Sequence, residues 1–453
     1  MTYRELLAGN ADFRRLWAGQ VVSEVGDWLN NIAVLALVIG LADARAAGLA
    51  VATYAVARHL PLFIFGPVAG VVVDRVNRRR VMIAADLARA GLALGFLLAH
   101  RFSSLAVVYA VGAALFSVSA FFNASKRASI PNLVGGTEEL LAANSLSAST
   151  TAATIAVGSA LGGVVATALG RDTVFVVNAL TFVGSALMIR RIVGLRNADF
   201  GLRIDVGKGA KTDESRAVLK SAFRIPRSAI VISGLRRAAS DFREGLRYVK
   251  GDPVLAAVFV VAGGWGLGNG TARALYSLFG ARFGEQAAAG WGAGVGAIVE
   301  RPTDFGISVL YVAMGLGGVL GAPLARRFNR GSSAGLGARM GRSLVLDGAG
   351  LLAFSLMPGL FGAASVLVAR EMNFAIWWTA QQTLLMKRTD DRVAGRVFAS
   401  HETLTTLTMV GSILVSGAAA DRVGVRAVAA GGGAVVILSG LMWFVLRRRG
   451  REK

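Results

Sequence analysis

Apolar runs of roughly 17 to 28 residues recur along the whole chain, and each is long enough, at 1.5 Å per residue, to cross a hydrocarbon core about 30 Å thick. Taken as helices they fall at about 17 to 41, 48 to 72, 81 to 99, 104 to 124, 142 to 169 and 173 to 189, and then at about 253 to 272, 305 to 325, 343 to 360, 361 to 386, 397 to 420 and 425 to 446. The pattern predicts an all-α integral membrane protein of twelve transmembrane helices in two pseudo-symmetric six-helix bundles. Residues 1–189 and 253–453 form the bundles, and a basic, hydrophilic loop over 190–252 joins them. Late in that loop Leu235, Ala238, Phe242, Leu246 and Val249 recur at helical spacing among Arg236, Arg237, Arg243, Arg247 and Lys250. This is the pattern of an amphipathic helix lying on an anionic membrane surface.

Composition agrees with the pattern. With 54% hydrophobic and 17% charged residues and a mean hydropathy of +0.57, the chain is too apolar to hide its surface in a soluble core. Zero cysteines exclude disulfides, thiol catalysis and thiolate metal sites. The net charge of +22 raises the question of nucleic acid, and its placement answers it. With both termini and the central loop assigned to the cytoplasm, 38 of the 49 Lys and Arg residues lie inside, 7 lie outside, and Arg58, Arg89, Arg273 and Arg370 fall within or at the ends of spans. That asymmetry satisfies the positive-inside rule, so no nucleic-acid partner is needed. A label at position 210 should be reached only from inside. The N-terminus lacks a short apolar region with a small-residue cleavage site, so the first span reads as retained.

Three weak matches hold register between the halves. Gly70 with Asp74-Arg75 is echoed by Gly321 with Ala325-Arg326, Thr137-Glu138-Glu139 by Thr389-Asp390-Asp391, and Val157-Gly158-Ser159 by Val410-Gly411-Ser412. Together they fit two parallel repeats with a site between them.

After the second span runs Gly66-Pro67-Val68-Ala69-Gly70-Val71-Val72-Val73-Asp74-Arg75-Val76-Asn77-Arg78-Arg79-Arg80. It resembles the loop 2/3 signature of the major facilitator superfamily, with Asn77 where the family usually has a glycine. Physically, Gly70 permits close helix approach, Asp74 can meet a helix N-terminus or an arginine, and the basic cluster anchors the loop. The resemblance implies a cytoplasmic gate latch of Gly70, Asp74, Arg75, Arg78 and Arg79, one-sided because Ala325 replaces the acid in the second half. Phe13-Arg14-Arg15-Leu16-Trp17, Ser23 to Trp28, Ile130-Pro131-Asn132-Leu133, Ala143-Asn144-Ser145-Leu146 and Gly395-Arg396-Val397-Phe398 look like the bacterial branch that holds enterobactin-type siderophore exporters and macrolide efflux proteins. The antiporter signature of the fifth helix is present only in part, as Gly158, Gly162 and Gly163 without the usual proline. The resemblance implies a multi-pass protein of the bacterial inner membrane, a monomer, exchanging a small-molecule substrate for protons among membrane lipids.

Other chemistry finds little support. Gly207-Lys208-Gly209 lacks the spacing and the Ser or Thr of a phosphate-binding loop. His59, His100 and His401 are dispersed, with no carboxylate cluster at ligand spacing, so neither a metal, a cofactor nor an enzyme activity is expected. Two alternatives to drug or metabolite export remain: a lipid or lysolipid flippase, and a receptor or scaffold that does not transport.

Ionisable residues inside spans are expensive and are functional candidates. Asp27 lies near the middle of span 1, and Arg58 at equal depth in span 2 is its expected partner. The pair is either structural or the proton site, in which case the balance of burial and the arginine would set proton affinity. Glu24, one turn nearer the cytoplasm, and Glu371 are further proton-coupling candidates. Asn373, Trp377 and Gln381 follow helical spacing on span 10 with Arg370, and with Asn30, Asn31 and Asn269 they are the substrate-cavity candidates; Trp377 is equally compatible with packing. Arg273 reads as an interfacial anchor. Asp86 and Arg89, three residues apart on span 3, are placed with the Asp74 cluster as a structural pair.

Overall fold

The computed structural model describes residues 2–195, 227–290, 301–329, 333–390 and 392–449, with side chains in the central connection described from residue 239 onward. Position 210, Gly207-Lys208-Gly209, Asp391 and the side chains of Leu235, Arg236, Arg237 and Ala238 lie outside the described residues. Among the described residues the chain forms fourteen helices. In the N-terminal half these are α1 (Tyr3–Gly9), α2 (Ala11–Leu41), α3 (Ala47–Val73), α4 (Arg78–Arg101), α5 (Leu105–Leu133), α6 (Thr137–Leu169) and α7 (Arg171–Arg190). Then come α8 (Arg227–Lys250), α9 (Pro253–Gly290), α10 (Pro302–Phe328), α11 (Ser333–Leu356), α12 (Leu360–Arg388), α13 (Ala394–Val423) and α14 (Val425–Arg449).

Each of the twelve predicted spans is a helix, α2 to α7 and α9 to α14. Eleven are long and apolar enough to cross a membrane by length and composition alone; α11 falls short because Arg339, Arg342 and Asp347 interrupt its apolar run. Several helices outrun the predicted limits. α9 continues past residue 272 to Gly290, and α11 starts at Ser333 and stops at Leu356, ahead of Pro358. Apolar counting stops at the first charges, whereas the backbone ladder runs through them. α1 was not expected. Its seven residues are held by a capping box, with Glu5 N donating to Thr2 Oγ1 (3.2 Å) and Thr2 N to Glu5 Oε2 (2.8 Å), and Leu6 seats in the core.

The two halves repeat one packing scheme. α3 packs on α5 as α10 does on α12, α4 on α7 as α11 on α14, and α2 on α6 and α7 as α9 on α13 and α14. A further echo marks the last turn of each half: Gly170 (φ 89°) between α6 and α7, and Gly424 (φ 90°) between α13 and α14, occupy a backbone region that side chains disfavour. Outward-facing leucines such as Leu87, Leu94 and Leu98 on α4 line one stripe, as a lipid-facing surface requires.

The halves meet where α6 packs on α10 and α3 on α13, the two contacts exchanged by the internal symmetry. The start of α2 and the end of α14 lie on one face, called here the termini face, because these helices are the first and last of an even number of spans. On the opposite face the halves are bound by charge. Asp421 of α13 accepts the free N–H groups of Gly48 (2.7 Å) and Leu49 (2.9 Å) at the start of α3. Arg171 of α7 holds the buried Asp304 of α10 through Nε and Nη2 (3.2 and 2.8 Å), and Arg301 Nη1 donates to the Ala166 and Thr167 carbonyls (2.7 and 3.1 Å). On the termini face Arg326 Nη2 donates to the Tyr3 hydroxyl at 3.3 Å.

The end of α8 packs on protein. Val249 is buried and Leu246 partly so, against α9 and α13, while Ser400 Oγ donates to the Phe242 carbonyl (3.2 Å) and Arg396 pairs with Glu244. The apolar stripe of residues 242 to 249 therefore faces the C-terminal half, because α13 offers a matching apolar and charged strip.

Candidate functional site

A cavity of about 290 Å³ lies between the halves, beneath the face that these charged contacts bridge. α2 contributes Ser23, Glu24, Asp27, Trp28, Asn31 and Leu35, whose spacing places them on one helical face. α3 adds Val51, Tyr54, Arg58 and His59, and α5 adds Phe116, Ser119, Phe122, Asn123 and Lys126. From the C-terminal half come Arg273 and Tyr276 on α9 and Tyr311 and Met314 on α10. Trp28 and Tyr311 face each other across the halves with ring centroids 6.1 Å apart. Six aromatic side chains set among six charged ones, Glu24, Asp27, Arg58, Arg89, Lys126 and Arg273, suit an amphipathic organic molecule that carries polar groups.

Asp27 does not pair with Arg58. Its Oδ2 lies 3.9 Å from Nη1 of Arg89, whose Nη2 donates to the fully buried Asp86. The Arg89 guanidinium stands over Phe122 and Phe182, 4.1 and 4.4 Å from their ring centroids. Arg58 instead donates to Asn31 Oδ1 and lies 4.9 Å from the ring centroids of both Trp28 and Phe116. Equal depth on neighbouring spans says nothing about which way each helix turns its side chains; α2 packs chiefly on α6 and α7, and this turns Asp27 toward α4. Asp86 and Arg89 accordingly belong to this site and not to the Asp74 cluster, since Asp86 is two turns into α4, about 12 Å from the loop.

Glu24 is held at the termini end of the cavity, accepting from Lys126 Nζ (3.2 Å), Thr151 Oγ1 (3.1 Å) and Thr154 Oγ1 (3.2 Å). Glu371 lies off the cavity wall, 3.4 Å from Nη1 of Arg370.

Of the six residues expected to line a substrate cavity, Asn31 does so. Asn30 is buried beside it with Oδ1 unpaired among the described residues. The others are packing or bracing groups of the C-terminal half. Trp377 is fully buried against Trp265 (4.6 Å between centroids), Gln381 Nε2 meets His401 Nε2 at 2.7 Å, and Asn373 Nδ2 donates to the Ser343 carbonyl at 2.7 Å. Asn269 Oδ1 accepts from Arg370 at 3.3 Å. Helical spacing placed three of these polar residues on one face correctly, but that face is covered by α9, α11 and α13.

Arg273, read from sequence as an interfacial anchor, is on the cavity wall because α9 continues well beyond it.

Two arginines of the loop 2/3 cluster bond within their own half. Arg78 Nη1 donates to the Ala128 carbonyl (2.8 Å), and Arg79 caps the end of α7 at the Ile189 carbonyl (3.3 Å) and at that of Arg190. Asp74 and Arg75 are exposed, and among the described residues neither makes a side-chain bond to the C-terminal half. A Cβ on Gly70 would meet nothing within 4 Å, so Gly70 supports no close helix approach in this conformation. Asn77 does not take up a left-handed turn; with φ −58° it is the cap of α4, accepting from Arg80 N at 3.1 Å. The glycines of the fifth span do mark close packing. A Cβ on Gly158 would lie 2.6 Å from the Val25 carbonyl, and one on Gly162 2.8 Å from that of Leu29, both on α2.

Sequence reasoning passed over Asp347, although it lies inside a predicted span and meets the same criterion as Asp27. It is fully buried on α11 and accepts from Arg370 Nη2 at 3.1 Å. It also passed over Lys126 as the partner of Glu24, and Asp304 and Asp421, which stand at span ends where a count treats charge as ordinary.

Several known proteins are similar to this chain. A candidate bacilysin exporter, BacE, of Bacillus subtilis is 25% identical over 408 residues, covering 88% of this chain and 86% of that protein. The uncharacterised MFS-type transporter YfiS of Bacillus subtilis strain 168 is 28% identical over 174 residues, 38% of this chain and 40% of its own length. Macrolide efflux protein A of Streptococcus pyogenes is 35% identical over 75 residues, 17% of this chain and 18% of that protein. Residues 16–410 match the family profile described as the Major Facilitator Superfamily, and with twelve helices in two symmetric halves around a central cavity the chain belongs to that family of membrane transporters.

Proposed function

We propose that this protein exports an amphipathic small organic molecule from the cytoplasm in exchange for protons, by alternating access. The observation that carries the reading is the placement of Asp27: a carboxylate on the wall of the interhalf cavity, 22% exposed, whose cation is shared with a second, buried carboxylate. Because Arg89 keeps Asp86 when Asp27 takes up a proton, protonation leaves no cation stranded, and the cost of cycling Asp27 is reduced. Glu24 with Lys126 is the second carboxylate that substrate could disturb. The charge bias between the faces supports a cytoplasmic position for both termini and the central connection, so the conformation described is one sealed toward the outside. The efflux names carried by BacE and macrolide efflux protein A favour export over uptake. In proteoliposomes with an imposed pH gradient, a labelled amphipathic compound should accumulate only while the gradient lasts. A flippase would instead move labelled lipid, and a scaffold would move neither.

Alternating access makes an opposed pair of expectations. The chain contains no cysteine, so Ala55→Cys places one thiol on the cavity wall. Asp421→Asn removes the charge that holds two N–H groups of α3, contacts worth about 1.5–3 kcal/mol each, and should raise labelling of that thiol from outside by on the order of tenfold. Asp74→Asn weakens a latch formed only when the termini face closes, and should lower the same labelling. Unchanged labelling in both variants removes the seal and latch roles together.

A further inference from the structure

Four cations and two carboxylates line the central cavity. Two of the cations are matched on the spot, Arg89 by Asp86 and Asp27, and Lys126 by Glu24. Arg58 and Arg273 are not. Among the described residues neither has a carboxylate within 4.0 Å; Arg58 spends one of its donors on Asn31, and Nε of Arg273 is buried with no partner. The carboxylates that act on them at longer range, Asp27 on Arg58 and Glu371 on Arg273, each have a closer cation in Arg89 and Arg370. Both guanidinium groups line the same cavity, together with His59 and Tyr311.

An arginine carries five N–H donors and does not give up its charge, so inside a membrane protein it faces the bundle interior or a polar cavity, and donors left over there favour an anionic ligand. The N-terminal half supplies Arg58 and the C-terminal half Arg273, and the aromatic rings of Trp28 and Phe116 flank Arg58. We infer that this cavity binds an anionic group, a carboxylate or a phosphate attached to an aromatic or aliphatic body, between Arg58 and Arg273. The inference gives the substrate class for the export reading and rests on it for the physiological role. An anion held from both sides also draws the halves together, which links binding to the sealed state.

The test uses the full chain in phosphatidylcholine nanodiscs with two fluorescent probes, dansylglycine and its uncharged amide. The acid should bind at least about tenfold more tightly than the amide, as one charge-assisted contact provides. Arg58→Gln and Arg273→Gln should each reduce acid binding by a similar factor while changing amide binding less than about threefold. Arg58→Lys, which keeps the charge, should retain a preference for the acid and guards against a folding artefact. Adding phosphatidylglycerol to the nanodiscs separates the sources: competition with the acid assigns the anionic group to a lipid headgroup, and no competition assigns it to a soluble compound. Equal affinity for acid and amide in the unaltered protein, or no binding of the acid, overturns the inference. Loss of both probes in parallel in the Gln variants overturns it too. Intact acid preference without gradient-driven transport would leave the anion site standing and remove the export reading.

Discussion

Asp27→Asn is expected to abolish uphill transport while leaving substrate exchange in place. A gradient of one pH unit supplies about 1.4 kcal/mol per proton, enough for about a tenfold concentration ratio with one proton exchanged per substrate. The unaltered protein should approach that ratio, and Asp27→Asn should stay near unity. Exchange at equal pH on both sides needs alternating access but no protonation cycle, so its rate should change by less than about threefold, the range of a substitution that disturbs no packing. The geometry makes the separation sharper than pairing with Arg58 would have allowed. Arg89 keeps its bond to Asp86 and its two phenylalanine rings when Asp27 is neutralised, so the folded yield should hold. The measurement is accumulation and counterflow in the same proteoliposome preparation. Normal accumulation by Asp27→Asn would sink the coupling role, and Glu24, with Lys126, would be the next carboxylate to test.

Arg370→Ala is expected to cost the most stability of any single change considered. It removes the only cation within 4.0 Å of the fully buried Asp347 among the described residues, together with a bond to the Tyr276 hydroxyl and one to Asn269. Stranding a buried charge in this way costs about 3–5 kcal/mol. That is a large share of the roughly 5–15 kcal/mol that keeps a protein domain folded, so detergent-extracted protein should lose its monodisperse peak and melt well below the unaltered chain. Arg370→Met combined with Asp347→Leu should recover much of the loss, because an apolar pair of similar volume leaves nothing to solvate. Equal melting of Arg370→Ala and the unaltered protein would mean that the pair does not brace α11 against α12.

Length and apolar patterning determined the fold class from the sequence alone. A helix that spans lipid must satisfy its own backbone, so twelve long apolar runs can become little other than twelve helices. The basic residues identified one face as distinct, and the loop after the second span pointed to the family, because both signals are local in sequence. The depth of Asp27, Glu24 and Arg58 was legible for the same reason, as depth follows from counting at 1.5 Å per residue.

Tertiary structure decided what counting leaves free, the rotation of each helix about its axis and the neighbour it turns to. That rotation gave Asp27 to Arg89, took Trp377 and Gln381 out of the cavity, and brought Arg273 into it. It also decided the partners of Arg370 and Asp304, which come from helices 23 and 133 residues away in the chain. The end of α8 shows the same division: its amphipathic period is written in residues 242 to 249, but whether that stripe meets lipid or protein depended on whether another helix offered a complementary surface, and α13 does. Periodicity fixes a face within one helix, while packing against several others chooses what that face meets.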